Sequence, residues 1–183
     1  MKIKYFLLFL IPIFIILFNI NALIFNYNYE NDVHHNLIDF FNGKELKFDY
    51  TERELIHLYD VNLLVNLLRI TVYILASLIL LILLFNKEKI FDVLLMSGLI
   101  TIGIALILSL INFNALFIKF HETLFTNNYW MLSSDTLLIK TYPIEFFISF
   151  FKRLILNIII VSLILIGVGL LKNVHTQYKS CNS

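Results

Sequence analysis

The sequence is poor in the residues that build most soluble active sites. Its 183 residues include one cysteine, two prolines, five glycines and one tryptophan. A single cysteine excludes an intrachain disulfide, a redox thiol pair and a cysteine-built metal centre. That cysteine, Cys181, stands as a spectator in the polar tail "KSCNS". No Gly-rich phosphate loop, Gly-x-Ser-x-Gly elbow or His-Glu-x-x-His occurs, and Ser97, Ser109, Ser133, Ser134 and Ser149 stand in no nucleophile context. The net charge is only +1 with no block of like charges, so no nucleic-acid partner is expected. His34 and His35 are adjacent and point in different directions on regular structure, so no metal site is expected from them.

What the chain has is hydrocarbon, with 60% hydrophobic and 15% aromatic residues. Soluble domains hold about 45–50% apolar residues. Four stretches, about 5–25, 63–85, 93–117 and 154–171, are long enough to cross roughly 30 Å of hydrocarbon as helices. The first follows Lys2 and Lys4 like a signal-peptide core, but its apolar run is too long for one and no small-x-small cleavage site follows, so an uncleaved anchor is expected. The fourth is the shortest, and "EFFISFF" before it offers an extension. The expected fold is an all-α integral membrane protein in which four transmembrane helices are capped by two structured segments, 26–62 and 118–153. Both segments mix aromatic and periodic apolar residues with little Gly or Pro, unlike flexible linkers.

With four spans both termini share a side. Lys2, Lys4, Lys87, Lys89, Lys172 and Lys179 crowd into short segments there, with only Glu88 and Asp92 as acids. Lys44, Lys47, Arg53, Lys119, Lys140, Lys152 and Arg153 are spread over two long connections that carry eleven acids. Basic residues concentrate in short cytoplasmic segments, which predicts both termini inside and the two long segments outside.

Thr51 and Glu54 match a capping box, so a helix is predicted to start there and run into the second span. Glu54, His57 and Asp60 then share a face at three-residue spacing, and Asp60 is placed to fix the tautomer of His57. A solvated helix end accounts for the same spacing. Deeper in that helix Asn62, Asn66, Arg69 and Tyr73 form a polar stripe expected to face the bundle. Arg69 is the expensive member, because a charge inside a span normally faces a protein or water-filled interior unless it snorkels to the headgroups. In the second outer segment His121 and Phe125 share a face, with Glu122 beside them and Trp130 following. An interfacial aromatic belt explains "LFTNNYW" as well. What favours a site is that His57 and His121 are expected at the same depth on the same side, each with an acid nearby.

"TERELIHLYDVNLL" together with "FHETLFTNNYWMLSSDTLLIKTYPIEFF" resembles the small bacterial membrane protein family that includes lipoprotein intramolecular transacylase, Lit. The shared features are an acidic helix start leading into His-Leu-x-Asp-Val, followed by His121, Phe125, Trp130, Asp135, Pro143, Phe146 and Phe147. The resemblance implies an acyltransferase of the bacterial plasma membrane whose partners are membrane lipid and a diacylglyceryl lipoprotein. It would move the sn-2 acyl chain to the α-amino group of the N-terminal cysteine, giving the lyso form. The same resemblance puts the two functional histidines at His57 and His121.

For that chemistry His57, oriented by Asp60, is the expected base, and His121 protonates the departing oxygen or polarises the carbonyl, with the two assignments exchangeable. Arg69, Asn62, Asn66 and the Trp130 indole are the expected substrate and oxyanion donors, with Glu122 counted among the binding groups. No cofactor is needed, since exchanging an ester for an amide is downhill. Two rivals stay open: another membrane-interface lipid hydrolase or acyltransferase, and a non-catalytic four-span subunit.

Overall fold

Every described element of the computed structural model is a helix. It describes residues 2–85 and 90–181, with side chains for 3–85 and 90–171. Lys87, Glu88 and Lys89, and the side chains of Lys2, Lys172, Lys179 and Cys181, lie outside that set. The order is α1 (Lys2–Asn26), α2 (Asp32–Phe41), α3 (Glu52–Phe85), α4 (Ile90–Leu110), α5 (Phe113–Leu124), α6 (Leu137–Thr141) and α7 (Ile144–Cys181). Four segments are long and apolar enough to cross a membrane: Ile3–Asn26, Glu52–Phe85, Ile90–Leu110 and Ile144–Leu171. The chain is therefore an all-α, multi-pass membrane protein, as its hydropathy predicts.

Length divides α3 into two parts. Its 34 residues extend about 51 Å, against roughly 30 Å of hydrocarbon. Glu52, Arg53, Glu54 and Asp60 all precede the apolar run that begins at Leu63. The apolar run Leu63–Phe85 is by itself long enough to cross that thickness, and the turns carrying His57 precede it. The fourth span is likewise led in by "EFFISFF", since α7 starts at Ile144 directly after Pro143.

The third span is shorter than its hydropathy suggests. Phe113 to Ile118 continue the apolar signal, which predicts a span to Phe117, yet α4 stops at Leu110. Asn112 then caps a new helix, its side chain accepting from the Ala115 amide at 3.1 Å. The connection from α4 to α7 accordingly begins near Ile111, and His121 rides on α5 within it.

The chain forms two compact units, one of residues 1–20, 71–110 and 154–183, the other of 21–70 and 111–153. In the first, α4 buries Ser97, Thr101 and Ala105, and α7 buries Ile158 and Ser162. Small residues let helices approach closely where lipid offers no hydrophobic drive to associate. A Cβ on Gly169 would lie 2.7 Å from the Leu95 amide nitrogen, which only glycine permits. The hydroxyls of Thr101 and Ser162 donate to carbonyls one turn back in their own helices, at 2.7 Å each. That is the available solution where no water can serve.

The second unit is built around Leu37, Phe40, Phe41, Leu58, Val65, Leu138 and Tyr142. Asn31 starts α2 by accepting from the amides of Val33 and His34 at 2.9 and 3.2 Å. Gly43, at φ +89°, turns the chain after it. The predicted capping box is present: the Thr51 amide donates to Glu54 Oε2 at 2.8 Å, and the Glu54 amide donates to Thr51 Oγ1 at 3.3 Å. Glu54 also accepts from the Leu138 amide at 2.8 Å, so one buried carboxylate serves the starts of both α3 and α6.

Candidate active site

His57 is fixed by α3, whose start is locked by the Thr51–Glu54 box one turn earlier. His121 sits in the last turn of α5, a helix that ends when the Phe125 amide donates to the His121 carbonyl at 2.9 Å. The two elements bring the imidazoles together, with ring centroids 6.1 Å apart. Phe125 packs edge-on against His57 at 5.1 Å and lies 5.6 Å from His121. The other walls are Phe117, 4.3 Å from the His121 ring, and Trp130, 4.9 Å from it with 33° between planes.

The hydrogen bonds of the two rings differ. His121 Nδ1 lies 2.7 Å from the Phe117 carbonyl oxygen. A carbonyl only accepts, so Nδ1 carries the proton and the neutral ring keeps its lone pair at Nε2. His57 Nδ1 is buried with no hydrogen-bond partner among the described residues. Burial lowers the His57 pKa to about 4, helped by the charge of His121 and opposed by Asp60. Burial lowers that of His121 too, against the bond to the Phe117 carbonyl. Burial therefore disfavours protonation of both rings, which lie together in an aromatic box.

Asp60 is not hydrogen-bonded as its spacing from His57 predicts. Its carboxylate accepts from Asn127 Nδ2 at 2.9 Å, and among the described residues no hydrogen bond joins it to His57. Sharing a helix face permits a contact without selecting it, and the Asn127 amide, from the opposite segment, takes the carboxylate first. No local spacing links Asn127 to α3, so the sequence carries no signal for this contact.

Arg69 is also placed elsewhere. Its guanidinium donates to the Phe41 carbonyl and to Asn42 Oδ1 at 3.3 and 3.2 Å, and lies 4.6 Å from the Phe25 ring centroid. It thus closes the C-terminus of α2, where a cation complements the helix dipole. Arg69 lies about 18 Å along α3 from His57 and Asn66 about 13 Å, too far to share an oxyanion. Asn66 donates to Asn62 Oδ1 at 3.1 Å, and Tyr73 at the end of the expected stripe is exposed. Glu122 is exposed and pairs with Lys119 at 3.4 Å. Of the proposed donors, Trp130 makes a ring contact with the histidine pair.

Away from this pair, His34 serves structure. His34 is buried, with Nδ1 2.9 Å from the Tyr142 hydroxyl, among the rings of Tyr29, His35 and Phe146. Tyr29 donates to the Thr141 carbonyl at 2.8 Å and ties the same connection to α6. Among the described residues no cluster of three His, Cys, Asp or Glu side chains is arranged to hold a metal.

Comparison with known proteins meets this geometry. No curated protein matches the chain in sequence. The structure matches the in meso structure of the membrane-integral lipoprotein intramolecular transacylase Lit from Bacillus cereus with TM-score 0.84 and 20% identity, covering 98% of this chain and 97% of that one. A structure of the same Bacillus cereus protein with a histidine replaced by alanine matches with TM-score 0.79 and 21% identity, over 96% and 94% of the two chains. At such identities the likeness concerns the fold. The family model of lipoprotein intramolecular transacylase Lit matches residues 31–147, which include both histidines, Asn127 and Trp130. The chain thus belongs to the Lit family and is a membrane-integral acyltransferase, a lipoprotein intramolecular transacylase.

Proposed function

We propose that His57 and His121 are the reacting pair of this transacylase, and that they work at the extracytoplasmic face of a bacterial plasma membrane with both termini in the cytoplasm. The supporting observation is the juxtaposition of two imidazoles, with Nδ1 of His121 held by the Phe117 carbonyl so that the lone pair of the neutral ring lies at Nε2. The substrate is a lipoprotein whose N-terminal cysteine bears a diacylglyceryl thioether. Its sn-2 ester and α-amino group lie within one small ring of atoms, so holding them together supplies much of the rate.

The α-amino nitrogen attacks the sn-2 ester carbonyl, an amide bond forms, and the bond to the glycerol oxygen breaks. His121 is the better base, because its Nδ1 proton is held by the Phe117 carbonyl and leaves the lone pair at Nε2, while His57, with a pKa lowered to about 4, is a poor proton acceptor at neutral pH. His121 takes the amine proton and returns it to the departing glycerol oxygen, so no proton is gained or lost. His57 stays neutral and acts as a hydrogen-bond donor to the carbonyl oxygen, helped by the Trp130 indole. This exchanges the roles that sequence spacing assigns, and removes Asp60 as orienter of the base.

Two experiments test the reading. Mass spectrometry of a reporter lipoprotein's N-terminal peptide should show the N-acylated lyso form only in cells that make this protein; free fatty acid without N-acylation would indicate a hydrolase. Cysteines at Lys47 and Thr126, with Cys181 changed to serine, should react with an impermeant thiol reagent in intact cells. Labelling of Cys181 in the native chain, with no labelling at those two positions, would reverse the orientation.

A further inference from the structure

Arg53, His57 and Asp60 occupy positions i, i+4 and i+7 of α3 and so share one face. The turn from Phe125 to Trp130 lies along that face and touches all three residues. Phe125 packs on His57 at 5.1 Å, Asn127 donates to Asp60 at 2.9 Å, and Arg53 donates to the Asn128 carbonyl at 2.6 Å with its guanidinium 5.7 Å from the Tyr129 ring centroid. Asn127 is itself held, its Oδ1 accepting from the Tyr129 amide at 3.0 Å. The next residue is Trp130, stacked on His121 at 4.9 Å.

We propose that Asp60, Asn127 and Arg53 are positioning residues that strap the 125–130 turn to α3, and thereby hold Trp130 against His121 while Phe125 holds His57. The inference deepens the proposed function, resting on its assignment of the histidines as the reacting pair. One amide on one carboxylate and one guanidinium on one carbonyl fix six residues of irregular chain that no regular ladder supports. The strap explains why Asp60 lies beside His57 without binding it: its ligand is the turn that walls the site. Displacement of a reacting group by about 1 Å reduces rates on the order of 10²-fold, so a released turn should act at a distance.

The sequence supplies its own probe, because Trp130 is the only tryptophan. Purified full-length protein in proteoliposomes is assayed with a synthetic diacylglyceryl-cysteine lipopeptide while Trp130 emission is recorded. Asn127→Asp sets two carboxylates against each other and should shift the emission and reduce turnover by roughly 10- to 100-fold. Asp60→Asn combined with Asn127→Asp re-forms the bond with donor and acceptor exchanged, and should bring emission and turnover back to within about threefold of wild type. Unchanged emission and turnover in Asn127→Asp would overturn the strap. So would a double variant as impaired as the single one, since a merely damaged fold gains nothing from the exchange. If the emission change and its rescue occur but His121→Gln retains activity, the strap stands and the assignment of the reacting pair fails.

Discussion

Two imidazole clusters of the same unit, both assembled by tertiary contacts and lined with aromatic rings, differ in what their nitrogens touch. At His34 the ring meets the Tyr142 hydroxyl, and Tyr29 beside it is bonded to the Thr141 carbonyl. At His57 a buried nitrogen has no partner, and at His121 the one bond present uses the nitrogen away from the lone pair. Burial lowers the affinity of His34, His57 and His121 for protons alike, so burial does not distinguish them. Hydrogen-bonding capacity does. A satisfied buried polar group is a fastener, whereas an unsatisfied one is held at a free-energy cost that ordinary folding avoids.

The largest effect that sharpens this contrast is expected from His57→Gln and His121→Gln. Each should insert normally and lose turnover by about 10²- to 10⁴-fold, measured as lyso peptide formed from a lipopeptide in proteoliposomes. His34→Phe should do the reverse. It keeps the aromatic packing but leaves the Tyr142 hydroxyl unpaired, so thermal unfolding in detergent should reveal a loss of about 1–3 kcal/mol while turnover stays within a few-fold of wild type. A His34 variant that is stable yet inactive would break the comparison.

Smaller effects are expected from Arg69 and from pH. Arg69→Met removes a cation from the α2 C-terminus and should reduce stability by about 0.3–2 kcal/mol, without the large fall in kcat that loss of an oxyanion donor would produce. The pH dependence follows from the lowered histidine pKa values. A ring with lowered pKa stays neutral as pH falls past the ordinary 6.5, and its capacity to act as a base is lost only when pH passes the lowered value. Protonation of His121 next to the indole should quench Trp130, so the acid titration of its fluorescence is expected below pH 6.5. A midpoint at or above that value would contradict a buried, desolvated pair.

Much of this architecture is legible in the chain because its signals are local. Four apolar runs give four membrane-crossing helices, and Thr51–Glu54 announces a helix start that the structure forms with both reciprocal bonds. What the sequence conceals depends on partners distant along the chain. Asp60 lies one turn from His57 but binds Asn127, 67 residues away, and Arg69 binds Phe41 and Asn42, 28 and 27 residues away. Hydropathy also overlooks the break before α5, because the residues on both sides of Asn112 are equally apolar and only its capping bond marks the stop. Helix α2 carries a cap at Asn31 and an acid at Asp32, signals that identify it once the aromatic residues around it are assigned to a core.

The central claim is that the His57 and His121 rings act as one unit, and product analysis of four variants in parallel tests it most directly. A reporter lipopeptide is incubated with His57→Gln, His121→Gln, the double variant and His34→Phe, and its N-terminal fragment is examined by mass spectrometry. The account predicts N-acylated lyso peptide from His34→Phe, almost none from either single variant, and a double variant little worse than the more impaired single one, because groups that act together are strongly non-additive. Lyso peptide formed at the wild-type rate by both His57→Gln and His121→Gln would contradict it.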